Sequence, residues 1–68
     1  MTLLLVIVFC HFGEPVECHV ERLVPESQVP IGCLAEGGER AVAWLDDHPG
    51  WQEVRTICEV NVAPQRPT

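Results

Sequence analysis

Leu3-Leu4-Leu5-Val6-Ile7-Val8-Phe9-Cys10-His11-Phe12-Gly13-Glu14-Pro15-Val16-Glu17-Cys18-His19-Val20-Glu21 is the stretch on which the fold turns. Its first part, Leu3 to Cys10, is apolar on both faces and rich in Val, Ile and Leu, as in a central strand covered on both sides. Its last part alternates. Val16, Cys18 and Val20 point one way and Glu17, His19 and Glu21 the other, which predicts a strand with one wet face that ends over Arg22 to Val24. The link between them, His11 to Pro15, is short and punctuated by Gly13 and Pro15, so the two strands are expected to form an antiparallel hairpin.

Read instead as a targeting segment, the opening run performs poorly. Leu3 to Phe9 is seven residues long, with no Lys or Arg before it and no Ala-x-Ala site after it. A helix needs about 20 residues to cross a bilayer. Ile7-Val8-Phe9-Cys10 resembles a bacterial lipobox but places Phe9 where that motif has a small residue. Neither a signal peptide nor a transmembrane segment is expected.

Downstream, Pro25 to Gly32 holds two prolines and no period, which reads as a loop crossing over the sheet. From Cys33 to Asp47 the period turns helical, with Cys33, Gly37, Ala41 and Leu45 on one stripe that Leu34 and Trp44 widen. Gly37 and Gly38 each cost a helix about 1 kcal/mol against alanine. Small residues on the inner stripe would, however, let the helix sit close to the sheet. His48-Pro49-Gly50 stops it. Trp51 to Val62 alternates again, with Val54, Thr56, Cys58, Val60 and Val62 on one side and Trp51 and Ile57 on the other.

The expected fold is therefore α+β: a small three-stranded, mostly antiparallel sheet in the order strand, strand, helix, strand, with one helix packed on one face. Residues 1–62 form a single domain and 63–68 a flexible C-terminal tail.

A chain of 68 residues buries only about 60% of its unfolded surface, so its core needs help from disulfides, a metal or a partner. Cys10, Cys18, Cys33 and Cys58 are the candidates. The face assignments above bring all four between helix and sheet, as two disulfides whose pairing the spacing leaves open. A zinc ion held by the four cysteines is the first alternative, although no Cys-x-x-Cys knuckle occurs among the Cys10-His11 and Cys18-His19 dipeptides and His19 points to the opposite side of its strand from Cys18. A thiol redox protein is the second. Cys33 heads the helix, but Glu36 stands where the paired cysteine belongs. His11, His19 and His48 lack triad partners, Ser27 lacks a nucleophile elbow, and Glu17 and Glu21 are expected as solvated carboxylates. No catalytic residue, cofactor or metal is expected, and the chain is read as non-enzymatic.

Ten acidic residues stand against four arginines and no lysine, for a formal net charge of −6. Such a surface repels phosphate backbones and anionic lipid, so neither nucleic acid nor membrane is expected as partner. A sheet apolar on both sides with one helix leaves a second side to cover. That side, marked by Trp51 and Ile57, is the expected surface for a protein partner or for self-association, unless loop 25–32 or the tail covers it.

An apolar start ending in Cys10, Glu14-Pro15 before Cys18, Cys33 opening a helix with Ala41 and Trp44, His48-Pro49-Gly50-Trp51 and a late Cys58 together resemble a group of short four-cysteine proteins of GC-rich bacteria and their phages. The resemblance spans roughly Leu3 to Glu59. It implies the same architecture and no assigned activity. A phage or virion accessory component, its thiols oxidised after release, would reconcile the cysteines with the absence of a recognisable export signal.

Overall fold

In the computed structural model, which describes residues 2–61, the elements are β1 (Thr2–His11), β2 (Glu17–Leu23), α1 (Pro30–Asp46) and β3 (Trp51–Asn61). The sheet is antiparallel throughout in the order β2-β1-β3, so the unbroken apolar run is the central strand. The proposed tail, and Val62 with it, lies outside the described residues.

Register fixes the faces. Leu5 lies opposite Leu23 and Cys58, Ile7 opposite Glu21 and Thr56, and Phe9 opposite His19. These residues share the side that carries α1, where Leu5, Ile7 and Phe9 form the core with Cys33 and Ala41. Leu4, Val6, Val8 and Cys10 point to the other side, with Cys18, Val20, Arg22 and Ile57 beside them.

The helix starts three residues earlier than its apolar period suggested. Proline is harmless at the first helical position, because its missing N–H has no intrahelical partner there and its φ is already helical. Pro30 thus belongs to α1, and the first helical bond runs from the Cys33 amide to the Val29 carbonyl at 2.8 Å. Gly37 behaves as expected of a close-approach glycine. A Cβ there would lie 2.8 Å from Thr56 Cγ2 and 2.9 Å from Leu5 Cδ1. At the far end His48 Nδ1 lies 2.7 Å from the Trp44 carbonyl, giving the acidic C-terminal turn a polar partner, and Gly50 reverses the chain at φ +92°.

The loop before the helix is fastened on the helix side. Beyond Leu23, β1 has no β2 residue opposite Leu3, and the Gln28 side chain takes that place. Its Oε1 accepts from the Leu3 amide at 2.7 Å and its Nε2 donates to the Leu3 carbonyl at 3.4 Å. The Glu26 amide donates to the Glu36 carboxylate.

Two expectations about faces are corrected. The four cysteines do not share one interior. Cys33–Cys58 ties the helix to β3 on the core side, whereas Cys10–Cys18 pairs directly across the hairpin on the opposite side. β2 alternates as expected, but its apolar side is the one turned away from α1. Trp51 and Ile57, expected on one surface, are on opposite sides. Val8 pairs with Arg55 but Phe9 pairs with Glu53, so Val54 is an extra residue in β3 and reverses the alternation beyond it. Trp51 consequently turns to the helix side, where it packs against the core.

Candidate functional site

The side of the sheet without the helix is the first candidate. Its middle row is Leu4, Val6, Val8 and Cys10, with Val20 from β2 and Ile57 from β3 alongside. Val6 is sheltered by its neighbours at 6% exposure, while Val20 is 44% exposed. The Cys10–Cys18 disulfide closes the hairpin end, and Phe12 and Val16 just beyond it are both exposed. Among the described elements only α1 lies on a face of the sheet, and the 24–29 loop is tied to the helix side. The proposed loop cover therefore does not form.

Charge is distributed unevenly over this face. Arg22 on β2 and Arg55 on β3 border the apolar row from opposite edges, and Glu59 is the only acidic strand residue in register with that side. The face carries two of the chain's four arginines in a molecule of net charge −6. It is a locally basic, apolar surface on an acidic domain.

The second candidate is a groove of about 310 Å³ between α1 and β2. The helix packs on β1 and β3 and not on β2, which leaves Ile7 and Phe9 as a floor with Glu21 and Leu23 on one wall and Arg40 and Trp44 on the other. Trp44 organises its end. Phe9 stacks on the indole at 4.0 Å between ring centroids and His48 at 3.7 Å, with His19 parallel at 5.5 Å and Trp51 edge-on at 5.4 Å. Because the polar side of β2 turns towards the helix, His19 meets Trp44 and places its Nε2 2.9 Å from Glu21 Oε1. The lining of this groove holds no hydroxyl or thiol nucleophile.

Sequence reasoning found the disulfide cysteines and put Ile57 on the side of the sheet without the helix but missed the aromatic stack. The i, i+4 spacing of Trp44 and His48 was a usable signal. The contribution of His19 depended on knowing which side of β2 faces the helix.

The cysteines make two disulfides, neither of the Cys-x-x-Cys type, and no cysteine among the described residues is free. With the two sulfur pairs on opposite sides of the sheet, this geometry does not assemble a four-thiolate centre. No cluster of three or more His, Cys, Asp or Glu that could hold a metal occurs among the described residues. No described helix is long and apolar enough to cross a membrane. Comparison with protein-family models, with curated proteins and with solved structures yields no match.

Proposed function

We propose that this chain is a non-enzymatic interaction module, stapled by its disulfides, that docks a protein partner on the open side of the sheet. One observation carries the reading: an apolar row bordered by Arg22 and Arg55 lies on the side that no described element covers. The disulfides support it, because each holds a strand that builds the face. Cys10–Cys18 locks β2 to β1, and Cys33–Cys58 anchors β3 from behind. The basic border selects a partner whose apolar contact surface is flanked by carboxylates. An accessory role on a phage particle or another large assembly suits a domain of this size, which gains stability both from staples and from the surface it docks on.

Site-specific photo-crosslinking tests the assignment. Benzoylphenylalanine replaces Val20 on the open side or Glu39 on the exposed side of the helix, in the oxidised full-length chain made in its own cells. Position 20 is expected to give discrete protein adducts that position 39 does not. Adducts from position 39 with none from position 20 would remove the open side as the docking surface.

A further inference from the structure

We infer that two copies of this chain pair antiparallel along the free edge of β3, extending the sheet to six strands. This rests on the free backbone edge of β3, whose Arg55 and Ile57 also belong to the open side of the sheet. In the order β2-β1-β3, only one side of the β3 backbone is used by β1. The other side offers the unpaired N–H and C=O groups of every second residue along this eleven-residue strand, a template for strand addition.

The side chains of β3 select the partner. Arg55, Ile57 and Glu59 all point to the open side of the sheet, and Arg55 and Glu59 are exposed and form no ion pair among the described residues. The pattern Arg55-x-Ile57-x-Glu59 is complementary to itself when reversed. Pairing two copies about Ile57 sets Ile57 against Ile57, Arg55 against Glu59 of the second copy, and Glu59 against its Arg55. Thr56 then meets Cys58 and Val54 meets Val60, the last two both exposed in the single chain. Centring on Arg55 or Glu59 sets like charges face to face, which is unfavourable in directly opposed pairs. Only the register centred on Ile57 pairs Arg55 with Glu59 in both directions.

The helices fit the same arrangement. Pairing about Ile57 keeps both on one side of the joined sheet. Each helix packs on β1 and β3, so with strands about 4.8 Å apart the two axes come about 10 Å apart. Packed helices lie about 8–10 Å apart. The helix flank that would meet its copy is apolar. Arg40 and Trp44 mark the flank towards β2, and the opposite flank, above the edge of β3, carries Leu34 at 50% and Val42 at 63% exposure.

Sedimentation velocity on the oxidised full-length chain tests this over a concentration series. A dimer of twice the 7.6 kDa chain mass is expected. Arg55→Glu or Glu59→Arg alone should weaken it about tenfold or more, since each replaces two attractive cross-strand pairs by repulsive ones. The double variant R55E/E59R should restore it, and an equimolar mixture of the two single variants should form a heterodimer. Val20→Asp, away from the edge, should leave the dimerisation constant unchanged. A chain that stays monomeric at high micromolar concentration overturns the inference. So does a double variant that fails to recover, or a dimer abolished by V20D and unaffected by R55E.

Discussion

Replacing Gly37 by alanine puts a methyl group into the seam between α1 and the sheet, and replacing Gly38 puts the same methyl group into open space. The intrinsic term is equal: alanine in a helix interior is favoured over glycine by about 1 kcal/mol. The packing term differs. At Gly37 the new carbon would stand 2.8 Å from Thr56 Cγ2 and 2.9 Å from Leu5 Cδ1, whereas at Gly38 nothing lies within 4 Å. Carbon atoms are comfortable at about 3.5–4.0 Å, so helix or strand must give by roughly 0.6 Å or more. Neither neighbour yields easily, because Leu5 is fully buried and the Thr56 hydroxyl donates to the Glu53 carboxylate. Overpacking of this kind costs about 1–3 kcal/mol, which leaves Gly37→Ala destabilised by about 0–2 kcal/mol after the helical gain. Gly38→Ala is stabilised by about 1 kcal/mol, and in a domain this small that raises Tm by about 4–8 °C. The assay is thermal unfolding by far-UV circular dichroism, oxidised, at a concentration that keeps the chain monomeric. A Gly37→Ala variant whose Tm rises as far as that of Gly38→Ala would refute the close helix–sheet seam.

The two disulfides should differ both in contribution and in access. On the loop-closure relation, Cys33–Cys58 with a separation of 25 is worth about 3.5 kcal/mol and Cys10–Cys18 with a separation of 8 about 2.5 kcal/mol. Unfolding in denaturant should therefore show Cys33→Ser/Cys58→Ser as the less stable of the two paired-serine variants, and the reverse ranking would contradict the helix-anchoring role. Limited reduction followed by alkylation and peptide mapping should label Cys10 and Cys18 first, since Cys18 is exposed and Cys33 fully buried. Early labelling of Cys33 would place that sulfur at the surface. Gln28→Ala should cost about 0.5–1.5 kcal/mol through the lost bonds to Leu3, with faster amide exchange at Leu3 as its local signature. An unchanged exchange rate there would count against the side-chain bridge.

The element order was legible because each element carries a period of its own. Eight consecutive apolar residues mark a central strand, and Cys33, Gly37 and Ala41 mark an inner helical stripe that the structure buries as a set. What the sequence hid was the relation between elements. Alternation says that Cys18 and His19 point opposite ways but not which of them faces the helix, and an apolar side is ordinarily expected to face the core. The protein does the reverse. The helix seats itself on β1 and β3, so β2 extends past its cover, and the polar side of β2 becomes the wall of a groove while its apolar side adds to the open face. The bulge was equally silent. Glu53-Val54-Arg55 carries no glycine or proline to announce an extra residue, yet it turns Trp51 from the open side into the aromatic stack. Ile57 lies on the other side of that bulge and kept its expected orientation. The consequence is chemical as well as geometric. Without the bulge, Trp51 would stand on the open side and Trp44 would lose its edge-on partner. With it, the open face is left aliphatic and bordered by arginines, and both tryptophans are committed to holding the helix end.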